Sequence, residues 1–352
     1  MNVASAWGWQ DAEIRPLAGG LINTSYVVSR DGAPIAVLQR LHPVFGAAVN
    51  LDIEAVTAHL AARGLTTPRL VRTLDDRAWV DDDGHIWRAL TWVTGTTVHA
   101  LASPEWAAAG GELVGKFHRA VADLEHDYAF ARAGVHDTAA HLSRLADFVR
   151  AGLDDGKNAS TASSEPRSGE ANEATALGTD VLAVAAELPA MPVTPRRHCH
   201  GDLKISNLLF APEPPPRGEC LVDLDTLGLG TMAFELGDAM RSWCNPLGED
   251  AGSVTFALPI FAAAITGFRA VAGPIVTRDE LASIVIGLET VCIELAARFA
   301  VDVFRDDYFG WDPTRFPSRR AHNIVRARGQ LALGLAVRAA RADALDVVLA
   351  NS

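Results

Sequence analysis

The hydrophobic pattern of this chain passes at Gly95 from mainly strand-like to mainly helical, and that change points to two unlike lobes. Before it, β-branched and apolar residues come in short runs broken by turn residues. Ile14 opens one run, Thr24-Ser-Tyr-Val-Val-Ser-Arg30 forms a second, Asp31-Gly32 supplies a two-residue turn, and Pro34 to Leu41 forms a third. Leu51 to Arg63 interrupts them with a helical face of Ile53, Val56 and Leu60, closed by Gly64. Further strands are predicted at 69–73, 78–80 and 87–93. Beyond Gly95 the spacing is helical from Pro104 to Val121, His141 to Leu153, Val181 to Leu188 and over most of Leu258 to Leu349, with one short strand pair at 207–224. The predicted class is α+β, with an antiparallel-sheet N-lobe holding one helix at 1–94 and a mostly helical C-lobe at 95–352. Residues 152–179 keep only Leu153 and Leu177 as large apolar side chains, so a mobile surface insertion is expected there.

Charge narrows the function. With 31 Lys and Arg against 43 Asp and Glu, the net charge is −12, which argues against a general nucleic-acid binder, since such affinity is built from surplus cations. Seven arginines and no intervening carboxylate lie between Arg315 and Arg341; a helix whose cations pair with the acidic remainder accounts for them. The start has no basic stretch followed by an apolar one, and runs such as Ala257 to Gly267 fall short of the ~20 residues that span a bilayer. The expectation is a soluble cytoplasmic protein with no membrane and no protein partner implied. Cys199, Cys220, Cys244 and Cys292 are scattered, with no CxxC spacing, which suits neither a disulfide framework nor zinc.

Chemistry concentrates in His200-Gly-Asp-Leu-Lys-Ile-Ser-Asn207 and Leu221-Val-Asp-Leu-Asp-Thr226. Leu208-Leu-Phe210 leaves the first segment as a strand, residues 212–218 turn the chain, and Cys220-Leu-Val222 returns beside it. That hairpin brings Asp223 next to Asn207, and together they offer a hard cation oxygen ligands beside phosphate oxygens. The first segment fits the H-x-D-x-x-x-x-N catalytic loop of kinases, in which the Asp, here Asp202, accepts the proton of the attacking hydroxyl. Lys204, two residues after this base, is placed to neutralise charge on a phosphoryl group in transfer. Asp225 is left with two roles, a second metal ligand or a contact to the acceptor.

These motifs resemble those of the aminoglycoside phosphotransferase-like kinases, over nearly the whole chain. The resemblance implies a bilobal protein kinase-like fold, ATP and Mg²⁺ as cofactors, and a small-molecule acceptor. It makes Gly19-Gly20-Leu21-Ile22-Asn23-Thr24 the turn that covers the ATP phosphates, Glu54 the helix glutamate that steadies a cation on the preceding strand, and 87–95 the hinge whose backbone meets adenine. The strand Ile35-Ala-Val-Leu-Gln-Arg40 has no lysine, so contact with the α- and β-phosphates falls to Arg40, with Gln39 as the alternative.

A narrower resemblance is to N-acetylhexosamine 1-kinases. Its marks are Leu21-Ile-Asn23, Leu38-Gln-Arg40 leading to Val44-Phe45, Asp223-Leu-Asp-Thr226, Gly237-Asp-Ala-Met-Arg241, and Tyr308-Phe309 ahead of His322-Asn323 and Arg326-Ala-Arg328. It implies transfer to the anomeric hydroxyl of an N-acetylated sugar, with Arg298 and Tyr308, and Asp225 in its acceptor role, as sugar-binding residues. The spacing from Arg298 to Tyr308 is one residue shorter than in those enzymes, and Gly201 stands where they commonly have Asn. Tyr308, Phe309, Trp311 and Phe316 could stack on a pyranose or form a satellite core cluster. The alternatives are a kinase for another small hydroxyl or amino-sugar acceptor, such as an aminoglycoside or glucosamine, and a nucleotide-binding regulator without catalysis.

Overall fold

A computed structural model describes residues 3–17, 22–130, 134–158, 169–251 and 253–350, with the side chains of 154–158 left aside. The N-lobe begins with a short 3₁₀ turn, Val3–Trp7, followed by β1 (Glu13–Pro16), β2 (Thr24–Arg30) and β3 (Ala33–Arg40). Asp31 and Gly32 both take left-handed backbone, φ 53° and 79°, which is what a two-residue hairpin between twisted strands demands. Then come α1 (Val49–Ala62), β4 (Leu70–Val71), β5 (Val80–Asp82) and β6 (His85–Thr91). The sheet runs β1-β2-β3-β6-β4 with β5 also on β6, and every pairing is antiparallel.

Period-two alternation gives this sheet two working faces. Val28, Ala36, Leu38 and Ala89 pack under Trp7 and Trp9, while Leu90, next to Ala89, faces the main core. Arg88, also adjacent to Ala89, is turned into the space between the lobes. Ile53, Val56 and Leu60 of α1 are buried as the helical spacing predicts, and so is Asp52 on the same side.

The chain crosses to the C-lobe at β7 (Thr96–Thr97), which pairs with β9 (Leu208–Phe210); β9 in turn pairs with β10 (Gly218–Leu221). A second small sheet joins β8 (Arg197–Cys199) to β11 (Gly228–Gly230). Around these lie α2 (Pro104–Ala120), α3 (Thr138–Asn158), α4 (Gly169–Ala185), α5 (Met232–Trp243), α6 (Leu258–Ala272), α7 (Arg278–Arg305), α8 (Arg319–Ala339) and α9 (Arg341–Leu349). α6 is apolar because Phe261, Ala264, Ile265 and Phe268 are core residues of this lobe.

The structure corrects the expected insertion at 152–179. α3 continues to Asn158 and α4 is helical from Gly169, with Ala174, Leu177, Gly178 and Val181 buried in a cluster that includes Ala297 and Ala300 of α7. Close helix packing uses small residues, so this segment lacks the large apolar side chains that usually announce a core. Residues 159–168 lie outside the described residues. The seven arginines of 315–341 all meet carboxylates: Arg315 and Arg326 meet Asp250, Arg319 and Arg320 meet Asp306, Arg328 meets Glu173, and Arg338 and Arg341 share Glu289.

Candidate active site

β8 delivers the chain to His200, whose buried ring lies 3.0 Å through Nε2 from the Val222 carbonyl. The Thr226 hydroxyl donates to the His200 carbonyl at 2.8 Å. Behind both, Glu235 in the first turn of α5 accepts from the His200 and Gly201 amides at 2.8 and 2.9 Å, with His118 Nε2 3.3 Å away. Burial alone would raise the Glu235 carboxyl, but the His118 bond and charge, with the His200 contacts, hold it below its ordinary value. Gly201 turns the loop outward at φ 79°, and a Cβ there would sit 2.4 Å from the Thr226 carbonyl oxygen. That contact, with the positive φ, leaves no room for a side chain at this position.

The turn presents Asp202. Lys204 Nζ donates to Asp202 Oδ2 at 2.6 Å and lies 3.6 Å from Asp223 Oδ2. Asn207 Nδ2 donates to the Asp202 carbonyl and to Oδ2 at 2.8 and 3.1 Å, leaving its amide oxygen as an acceptor. β9 and β10 return Asp223 beside it, and the Val222 amide donates to the Asn207 carbonyl at 2.9 Å. Asp223 is left-handed, φ 64°, and opens a single 3₁₀ turn, Leu224–Thr226. Desolvation and the neighbouring Asp202 push the Asp223 carboxyl up; desolvation would lower Lys204, but the two carboxylates raise it. Two carboxylates thus share one ammonium, an arrangement that favours a further cation.

The donor set fits a hard divalent ion held partly by phosphate and water. Asp223 and the Asn207 amide oxygen would hold it, and among the described residues no cluster of three or more His, Cys, Asp or Glu suggests a softer metal.

On the N-lobe side, Gly19 and Gly20 lie outside the described residues. Asn23 accepts from the His42 amide at 2.9 Å and donates to Asp225 Oδ2 at 2.5 Å. Thr24 and Arg40 are exposed register partners, 3.4 Å apart between Oγ1 and Nη2. Glu54 does not meet a cation of β3: both its oxygens take Arg72, just after β4, at 2.7 Å. Gln39 is also occupied, accepting from Arg88 Nε and Nη2 at 2.9 and 2.7 Å and donating to Ser25 at 2.9 Å.

Two residues that the motifs did not mark join the lobes here. Arg88 is 1% exposed and grips Asp225, also 1% exposed, with both terminal nitrogens. Asp52 accepts from His126 at 2.9 Å and from the Ala129 and Phe130 amides at 2.8 and 2.9 Å. Asp225 is therefore committed to an inter-lobe ion pair, whichever of its two expected roles is considered.

A cavity of about 530 Å³ opens against the catalytic loop, with Gly201 and Thr226 at one end. Its walls include His126, Tyr128, Phe130, Phe234 and Asp238, and the His136 ring stacks on Phe234 at 4.7 Å. Glu294 of α7 secures that wall, 3.2 Å from His136 and accepting from Thr138 at 2.6 Å. Arg298, one turn further along α7, lies 5.9 and 5.7 Å from the ring centres of Tyr308 and Phe309. Arg298 and Tyr308 are thus brought together, one turn beyond the residue that secures the cavity wall and not on the wall itself. Phe309 packs on Phe299, and Phe316 stacks on His322, so those two rings serve the core.

A sheet lobe over a helical lobe, with the Asp202 and Asp223 carboxylates gathered around Lys204 in the catalytic loop, is the plan of kinase-like phosphotransferases acting on hydroxyl groups of small molecules. The chain belongs to this group: the phosphotransferase enzyme family (APH) matches residues 13–273. Solved structures with the same fold include an amicoumacin kinase in complex with AMP-PNP, Ca²⁺ and Ami, at TM-score 0.62 and 12% identity over 94% of this chain and 90% of that one. A microcompartment-associated aminopropanol kinase superposes at TM-score 0.61 with 14% identity over 96% of both chains. An aminoglycoside phosphotransferase from Alicyclobacillus acidocaldarius gives 0.57 and 18% over 97% and 96%.

Proposed function

We propose that this phosphotransferase carries the γ-phosphoryl group of ATP, with Mg²⁺, to the anomeric hydroxyl of a free sugar, an N-acetylhexosamine, giving the sugar 1-phosphate. Asp202 orients the hydroxyl and takes its proton as the oxygen attacks phosphorus in line. Lys204 balances charge on the equatorial oxygens, so the loop contributes mainly position and electrostatics to a loose transition state. Mg²⁺ held by Asn207 and Asp223 would supply charge neutralisation at the phosphate oxygens. The 19–24 turn and exposed Arg40 are the groups assigned to the phosphates, and Arg298 with Tyr308 to the outer edge of the sugar.

The observation that carries a neutral acceptor is the state of the carboxylates around the cavity. Asp225 is paired with Arg88, Glu235 accepts from two amides with His118 beside it, and Asp238 is paired with Arg241 at 2.8 Å. A site built for a polycation would keep such charges free for the ligand, whereas aromatic and histidine walls suit a monosaccharide. The spaced sequence marks shared with N-acetylhexosamine 1-kinases point the same way. One feature favours an amine-bearing acceptor instead: the exposed Asp127 at the cavity wall.

ATP consumption across free N-acetylhexosamines, unmodified hexoses, glucosamine and aminoglycosides, with ³¹P and ¹H NMR of the product, decides between them. Phosphate on the anomeric oxygen of an N-acetylhexosamine is the expected result. Phosphate at another position, or turnover confined to amines, overturns the sugar 1-kinase reading.

A further inference from the structure

We infer that Arg88 is a positioning residue for the cation seat, holding Asp225 so that the turn opened by Asp223 presents its carboxylate to the metal. The inference rests on the proposed role of Asp223 as a ligand. β3 carries no lysine, and the buried cation facing the junction comes instead from β6, at the position paired in register with Gln39. Arg88 spends its donors on Gln39, on Asn50 Oδ1 at 3.5 Å and on both oxygens of Asp225, so its planar fork is fixed in direction. Its partner lies 137 residues away in the other lobe.

What Asp225 anchors is short. Asp223 precedes a single turn, Leu224–Thr226, so clamping the middle of that turn sets the direction in which Asp223 leaves it. The far end is tied by Thr226 to the catalytic loop through the His200 carbonyl. Asp223 itself is 40% exposed at the side chain, and its nearest cation, Lys204, is 3.6 Å away, so its aim depends on its backbone. A buried ion pair is seldom better for stability than a well-packed apolar pair, because both charges must be desolvated. Its use here is geometric: the N-lobe sheet and the cation seat are held in one register. Groups that orient a metal ligand from behind typically change metal affinity by about 10–100-fold when removed.

The test is calorimetric titration of the full-length protein with AMP-PNP, in Mg²⁺ and in EDTA, for wild type, Arg88→Lys, Arg88→Met, the double variant Arg88→Met/Asp225→Leu, and Asp223→Asn. Arg88→Met should lose about tenfold or more of the affinity that Mg²⁺ adds while binding in EDTA stays within about twofold. Arg88→Lys should recover part of that gain, because an ammonium keeps the charge but not the fork. The double variant removes the orphaned carboxylate, so it should unfold cooperatively even where Arg88→Met does not, and should still lack the Mg²⁺ gain. Retention of the full gain in folded Arg88→Met, or in the double variant, while Asp223→Asn loses it overturns the role of Arg88 alone. Retention of the gain in Asp223→Asn overturns the seat, and the role of Arg88 with it.

Discussion

Glu235 offers the sharpest test of how the catalytic loop is held. Its carboxylate accepts two short backbone bonds, from His200 and Gly201, and Glu235 is only 5% exposed. Hydrogen bonds to a buried charge are worth about 1.5–3 kcal/mol each, and a buried donor left unmet costs about 1–3 kcal/mol. Glu235→Gln keeps one carbonyl oxygen but turns an NH₂ toward the second amide, so a loss of about 2–3 kcal/mol is expected. Glu235→Ala strands both amides and His118, and about 4–5 kcal/mol is expected, within the range for breaking a buried charged pair. The loss also depends on pH. A carboxyl depressed in the folded state contributes stability that is fully present above its unfolded value, about 4.3, and is lost as pH falls through the folded value. Urea melts followed by tryptophan fluorescence at neutral pH and through the acid range would show the wild-type curve falling below about pH 4.5 and the Gln variant falling less steeply. Under conditions where the Gln variant remains folded, its turnover should drop about 10–100-fold, since an ångström of displacement at Asp202 spoils the attack geometry. If both substitutions cost under about 1 kcal/mol, the loop is not held by Glu235 and the reasoning fails.

Asp202→Asn should reduce turnover about 100-fold or more while leaving nucleotide affinity within about twofold, because the amide keeps an oxygen for Lys204 and Asn207 but no longer accepts the proton; single-turnover kinetics beside a nucleotide titration would show this, and retained turnover would refute the base assignment. Gly287→Ala should cost about 3 kcal/mol or more in a denaturation experiment, since the added Cβ would fall 1.9 Å from the Ala233 carbonyl oxygen where α5 and α7 touch. A cost below about 1 kcal/mol would mean that the two helices can separate without penalty.

The catalytic loop was legible because it is local. Asp202, Lys204, Asn207 and Asp223 lie within one loop and one hairpin, and a short turn leaves the chain little choice about bringing them together. The division into lobes was legible for a similar reason, since the change from period two to period 3.6 is written residue by residue. The α3 and α4 continuation was hidden because a helix of small residues resembles a loop in composition, although Ala174, Leu177, Gly178 and Val181 follow the i, i+3, i+4, i+7 spacing of a buried face. Glu235, Arg88 and Asp52 were missed because their partners are remote in sequence, and no local motif marks a residue that acts on a distant segment.

Asp52 and Glu54 differ in the face of α1 that they occupy, and that face is written in the sequence. Val49, Ile53, Val56 and Leu60 define the buried side of α1; Asp52 is three residues from Val49 and four from Val56, whereas Glu54 is rotated about 100° from Ile53. A carboxylate on the buried side cannot remain unpaired, so it must find donors in whatever packs against the helix. That is the course Asp52 takes, toward His126 and two amides beside the cavity, while Glu54 stays within the N-lobe on Arg72. Arg88 obeys the same rule on a strand, a cation beside inward-facing Leu90 that requires an anion across the junction. On the N-lobe, Asp52 and Arg88, the two charges that break the apolar pattern of buried faces, both make contacts between the lobes, and those contacts fix how the two sides of the site meet.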